Sequence, residues 1–218
     1  MKSLNRWNIT ATHEQMQGNA AVKEIASALH LRLPTAYLLY NRGCSTPAEA
    51  KAFLEKETEQ MHDPFTMADM EEAVPRILEA VENHENIVIY GDYDVDGVTS
   101  VSSLYLFLKE LNANVTYYIP SRTGEGYGMS PCAIEKLANA GTNLIITVDT
   151  GVTAVNEARL ITELGMELIV TDHHECCGEL PEAVAVVNPK RPDCPYPFKE
   201  LAGVGVVFKL LSILFFRC

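Results

Sequence analysis

The sequence predicts an α/β fold: a parallel sheet with helices on both faces at residues 84–218, preceded by a helical N-terminal region at 1–83. Three observations predict it. Short, continuously apolar runs recur at 87–91, 115–119, 144–148 and 167–171, with a weaker one at 184–187. Stretches with helical spacing lie between them, at 98–111, 131–140 and 153–164. Acidic residues and histidines stand just past the ends of several of these runs. All-apolar strands alternating with helices indicate a parallel sheet buried on both faces, whose ligands sit outside the carboxyl ends of the strands.

The N-terminal elements come first. Val22, Ile25, Ala26 and Leu29 recur at helical spacing across 20–31, and a second short helix follows Leu33-Pro34-Thr35 through Tyr40. Arg42-Gly43-Cys44 stops it. Thr46 then caps a helix with Pro47 in its first position, and Glu49 three residues on completes a capping box. Asp69-Met70-Glu71-Glu72 opens a further helix through Ile77, Leu78 and Val81, with Pro75 inside it. His13, His30, His62 and His84 are scattered and read as surface or packing residues.

The chemistry begins at 87–97. The run Ile87-Val88-Ile89-Tyr90 ends in Gly91-Asp92-Tyr93-Asp94-Val95-Asp96-Gly97, with Gly97 read as a turn into a helix at 98–111. Carboxylates at alternating positions past a buried strand repel one another unless a cation neutralises them, and oxygen ligands suit Mg²⁺ or Mn²⁺. A calcium-binding loop would need further ligands and a closing Glu, where Ser100, Val101 and Ser103 stand instead. Later strands repeat the placement. The run 144–148 ends at Asp149-Thr150-Gly151, and 167–171 ends at Asp172-His173-His174-Glu175. Asp149 could alternatively cap the next helix, although Thr150 or Thr153 would serve that role equally well.

Composition narrows the function. The 218 residues are 47% hydrophobic, enough for a real core, and no apolar run reaches membrane-spanning length. Six cysteines without a C-x-x-C pair argue against a zinc ribbon and a disulfide scaffold; reduced thiols and a cytoplasmic location are the expectation. The formal net charge of −12 denies a wide basic patch, so a phosphate-bearing substrate must be held by metals and a few placed cations. Ser100, Ser102 and Ser103 read as helix residues, not nucleophiles.

Asp-Tyr-Asp-Val-Asp-Gly at 92–97, Val-Asp-Thr-Gly at 148–151 and Thr-Asp-His-His-Glu at 171–175 resemble the first three motifs of the DHH phosphoesterases. Similar landmarks are Arg42-Gly43, Asp63-Pro64-Phe65, Ile119-Pro120-Ser121-Arg122, Val187-Asn188-Pro189-Lys190 and Leu201-Ala202-Gly203-Val204-Gly205. Within the family they look most like its bacterial single-strand-specific 5′→3′ DNA exonucleases.

The resemblance implies two divalent ions, Mn²⁺ or Mg²⁺. Asp94 would hold one, Asp96 the other, Asp149 both, and His173 would complete the second. Asp172 and His174 would orient neighbours or touch substrate phosphate, and Asp92 would orient a ligand. Tyr90 stands where some relatives place a histidine. Arg122 and Tyr127, flanking the glycine-rich stretch 124–128, would contact substrate as a phosphate fork and a stacking ring. Single-stranded DNA is the implied partner, with a single-strand-binding protein and a helicase, and no membrane. Relatives continue past a hydrophobic segment like that at 206–216, into a fourth-motif aspartate and C-terminal domains. The 218 residues are therefore expected to be an N-terminal portion, incomplete for activity. Alternative readings are another DHH enzyme, such as an oligoribonuclease, a cyclic-dinucleotide phosphodiesterase or an inorganic pyrophosphatase, and a non-catalytic scaffold. The intact carboxylates argue against the scaffold.

Overall fold

The structure is a computed structural model and describes residues 11–55, 61–121, 126 and 128–217. The chain forms two compact units, Met1–Met61 and His62–Cys218.

In the first unit, α1 (His13–Gly18), α2 (Ala20–Ala28), α3 (Leu33–Asn41) and α4 (Pro47–Leu54) follow one another. Val22, Ile25, Ala36, Leu39, Cys44 and Ala50 form its small core. The expected capping box is present: Thr46 Oγ1 accepts from the Glu49 amide at 3.2 Å, and Glu49 Oε2 accepts from the Thr46 amide at 3.1 Å. Pro34 occupies the first turn of α3 and Pro47 that of α4, where a missing amide proton costs nothing.

The second unit contains α5 (Met70–Glu82), β1 (Ile87–Gly91), α6 (Val95–Glu110), β2 (Val115–Tyr118), α7 (Pro131–Asn139), β3 (Leu144–Val148), α8 (Val155–Glu163), β4 (Glu167–Thr171), β5 (Ala185–Val187) and α9 (Gly203–Arg217). The five strands form one parallel sheet in the order β2-β1-β3-β4-β5. Side chains alternate across it. Ile87, Ile89, Leu144 and Ile146 face a core built with Ile77 of α5, Leu104 of α6 and Leu210 of α9. Tyr90, Ile145, Leu168 and Val170 face the opposite core, with Ile134 of α7 and Ile161 of α8. Both faces are covered, so the central strands β1, β3 and β4 are largely apolar on both sides. Helix α5 lies on the N-terminal side of the 83/84 boundary drawn from the sequence, and its buried residues belong to the core shared with α6 and α9.

Two helix starts differ from the sequence reading. Helix α6 begins at Val95 rather than 98, because Asp94 caps it: its Oδ1 accepts from the Gly97 amide at 2.9 Å. Gly97 is therefore in the first helical turn and not in a turn before it. Helix α8 begins at Val155, and its cap position, Ala154, supplies no side-chain hydrogen bond, so neither threonine performs the expected capping.

The far edge of the sheet is tied down by Asp69 and Arg191. The Val186 amide donates to Asp69 Oδ2 at 2.9 Å, and Arg191 Nη1 donates to the Val186 carbonyl at 2.7 Å and to Asp69 Oδ2 at 2.5 Å. Asp69 holds a left-handed backbone, φ +59°, in doing so. The strand order also fixes where a site can form. From β1 the chain steps outward to β2 and then returns to β3 on the other side, so the crevice between the carboxyl ends of β1 and β3 is the switch point.

Candidate metal centre

Asp92, Asp94 and Asp149 meet at that crevice, and His173 and His174 reach it from the end of β4. Past β1, Asp92 is buried and Asp94 is exposed at the start of α6. The first turn of α6 lies directly on the connection from β1. A Cβ at Gly97 would stand 2.7 Å from the Asp92 carbonyl carbon and 2.8 Å from its Cα, so glycine is required there. Past β3, Asp149 is 2% exposed and adopts φ +59°, a conformation that costs a non-glycine residue free energy and recurs at functional sites. Its amide is held by the Thr171 carbonyl at 3.1 Å.

Asp172 is wholly committed to its neighbours. Its Oδ2 accepts from the Val152 amide at 2.9 Å. Its Oδ1 accepts from the His173 amide at 2.7 Å and the His174 amide at 3.1 Å, and lies 2.7 Å from His174 Nδ1. Burial pushes this carboxyl upward, but the bonds from His174 and the Val152 amide outweigh it and hold the group below the usual carboxylate range. The Asp172 bond in turn raises the His174 imidazole above its ordinary value. With Nδ1 turned to Asp172, coordination by this ring would use Nε2. Asn188 is buried beside the motif and donates to the His174 carbonyl at 3.0 Å.

Among the described residues, two groups of side chains can each place ligand atoms within 4.8 Å of one another: Asp92, Asp94 and Asp149, and Asp149, His173 and His174. Asp149 is common to both. His173 Nε2 lies 3.0 Å from Asp149 Oδ1 and 3.6 Å from Asp96 Oδ2. Asp96 itself is engaged by α9, whose Gly203 amide donates to Oδ2 at 2.7 Å and whose Val204 amide donates to Oδ1 at 2.8 Å. The sequence reading missed this use of Gly203, although one signal was present. Ala202 precedes an apolar helix without offering a capping side chain, so the cap had to come from elsewhere.

The residues fit a divalent cation. Asp92 Oδ1 and Asp149 Oδ1 are buried and accept no hydrogen bond, an expensive arrangement unless a cation shares them. Carboxylates with imidazole suit Mn²⁺ or Mg²⁺ better than a thiolate-seeking ion. Tyr90 takes no part in either group: it is buried, stacked on Tyr118 at 5.2 Å, and donates to the Gly128 carbonyl at 3.1 Å. Ser102 and Ser103 hydroxyls donate back to helix carbonyls, at 2.7 and 2.8 Å. Arg122 and Tyr127 lie outside the described residues.

Burial, followed by the charges of Asp96 and Asp94, pushes the Asp149 carboxyl up to about 7, with His174 acting the other way. In the unfolded chain it titrates near 3.8. Between these values the folded state binds the extra proton, so its contribution to stability is full below the lower value and is lost as pH rises through the upper one. The raised His174 imidazole acts in the same direction at higher pH. In a chelator, the melting temperature is therefore expected to fall from pH 5 to pH 7. Asp149→Asn should flatten that slope; an unchanged slope in the variant would show that another group carries it.

The pattern of the DHH family, N-terminal domain, matches residues 86–217. The single-stranded-DNA-specific exonuclease RecJ of Bacillus subtilis is 47% identical over 214 residues, 98% of this chain and 27% of the relative. The structure of RecJ with Mn²⁺ from Thermus thermophilus superposes with a TM-score of 0.70 at 30% identity, covering 91% of this chain and 27% of that one. An exonuclease RecJ bound to manganese gives 0.64 at 35% identity, over 69% and 38% of the two chains. The chain thus spans between about a quarter and two fifths of the length of these relatives.

Proposed function

The chain belongs to the DHH family, and from that premise we propose that it serves metal-dependent hydrolysis of single-stranded DNA from the 5′ end, in repair and recombination. The observation that supports the reading is the sharing of Asp149 between two ligand groups, with a buried carboxylate oxygen that accepts no hydrogen bond and lies 3.0 Å from His173 Nε2.

Asp94 would hold one Mn²⁺ or Mg²⁺ ion, with Asp92 beside it, and Asp96 and His173 the other, with Asp149 common to both. Such ions lower the pKa of a water, polarise the phosphodiester and neutralise charge on the leaving oxygen. The chain's own part is positional. Asp172 fixes the His174 ring and the two backbone amides at the end of β4, and Asn188 holds the carbonyl of the same turn. The hydroxyls of Ser102 and Ser103 are bonded back to the helix carbonyls of Val98 and Thr99, and neither is assigned a nucleophilic role. Arg122 and Tyr127 are proposed to contact substrate, as a phosphate fork and a stacking ring. A single-strand-binding protein and a helicase in the cytoplasm complete the proposal, on family resemblance alone.

A substrate panel tests it. The full protein, in Mn²⁺, is offered 5′-phosphorylated single-stranded DNA, an oligoribonucleotide, a cyclic dinucleotide and pyrophosphate. Nucleotide release from the DNA, stopped by chelator, is expected. Preferred cleavage of another substrate would move the assignment within the family, and cleavage of none, with Mn²⁺ bound, would favour a scaffold.

A further inference from the structure

We propose that the N-terminus of α9 is a positioning device for the metal ligand Asp96, acting through the backbone amides of Gly203 and Val204. The inference rests on the metal reading above and extends it to residues more than 100 positions away in sequence.

The geometry is that of a helix cap supplied in trans. Ala202 begins the helix, since its carbonyl accepts from the Val206 amide at 3.2 Å and the Gly205 amide at 2.9 Å, yet its methyl group accepts nothing. The next two amides are orphan donors, and the Asp96 carboxylate takes both, one on each oxygen, at 2.7 and 2.8 Å. A two-point grip fixes the plane of the carboxylate. It leaves further lone-pair capacity on both oxygens, and Oδ2 stands 3.6 Å from His173 Nε2 beside Asp149. The helix can approach this closely only because residue 203 lacks a side chain. A Cβ there would stand 2.7 Å from Asp149 Oδ1 and 2.8 Å from its Cβ. Gly203 therefore touches both acidic strand ends at once: its amide holds Asp96 and its bare Cα faces Asp149.

The far end of the grip is also fixed. Lys209, two turns along α9 and 5% exposed, donates to the His62 carbonyl at 2.8 Å and lies over the Tyr196 ring at 5.8 Å. This anchor sets where the helix begins. The aim of Asp96 is thus a property of α9 and not of the rotamer preferences of α6.

The test is Mn²⁺ titration of the full chain, followed by the electron paramagnetic resonance of free aqueous Mn²⁺, beside metal-free melting. Val204→Pro removes one amide donor at the second helical position, a place where α3 already carries Pro34. It is expected to fold and to bind Mn²⁺ about tenfold more weakly, the usual effect of losing a partner that orients a ligand. Val204→Ala keeps the amide and should bind as the parent does. In an Asp96→Ala background, Val204→Pro should cost nothing further, because the acceptor of that amide is already gone. Gly203→Ala displaces the helix start without proline and should weaken binding likewise. Unchanged or tighter binding in both helix variants, or an equal loss in the Asp96→Ala background, overturns the inference. Asp94→Asn is the control for the metal reading: if it binds Mn²⁺ like the parent, that reading and this inference fall together. If it loses Mn²⁺ and the helix variants do not, only the inference falls.

Discussion

In the full protein, Asp149→Asn is expected to cut the proposed Mn²⁺-dependent digestion of single-stranded DNA about a thousandfold while making the metal-free protein more stable at neutral pH. The loss follows from the position of Asp149 in both ligand groups. An amide of the same shape offers one oxygen and no charge, so neither ion keeps its shared ligand. Metal ions contribute several kcal/mol to such a transition state, and each ~1.4 kcal/mol is tenfold in rate, so a fall on the order of a thousandfold is expected. The gain in stability follows from the same site. The ordinary carboxylate range lies well below the value of about 7 to which burial and neighbouring acids push this group. Ionising it at pH 8 costs the empty fold free energy, and asparagine removes that cost, about 1–4 kcal/mol. The two measurements are initial digestion rate and melting temperature in chelator. A variant that digests at the parental rate would remove Asp149 from the site, and one that melts lower at pH 8 would show that its charge does not strain the fold.

Gly97→Ala is expected to damage fold and site together. The added methyl group meets the Asp92 carbonyl carbon and Cα, which are backbone atoms and cannot rotate aside. Either α6 lifts from the end of β1 or the backbone of Asp92 moves. Overpacking of this kind costs about 1–3 kcal/mol and sometimes more, a large share of the 5–15 kcal/mol that holds a typical domain. Moving Asp92 also moves a member of the first ligand group. The variant should melt clearly lower in chelator and recover less than the parent on adding Mn²⁺. Parental melting and parental recovery would mean that the helix start can shift without cost.

Much of this could be read before the structure. The strands at 87–91, 144–148 and 167–171 have the expected bounds because a sheet covered on both faces leaves no alternation to misread. The two outer strands are shorter than expected, each losing a residue at an end where pairing stops. The start of α6 was misplaced for a local reason: glycine usually marks a turn, whereas Gly97 is small because α6 packs against backbone. Tyr90 follows the pleat of β1 into the core away from the acids, as its place in an alternating strand requires. The uncapped start at Ala202 was a sign that α9 takes its cap from elsewhere, but nothing in the sequence named Asp96 as its source. The partner of Asp96 is a pair of backbone amides 107 and 108 positions later, and amides leave no mark in composition or spacing. Asp69 was read only as part of a helix start, and its second partner, Arg191, lies 122 residues on.

That last pair has a consequence for solution behaviour. β5 has three residues, and its outward-facing member, Val186, already has both its amide and its carbonyl taken by Asp69 and Arg191. A strand from another molecule needs such groups as a template if it is to extend a sheet. Here the two charged side chains occupy them. This border of the sheet is closed to growth by strand addition, and self-association that lengthens the sheet from β5 is blocked in the folded protein.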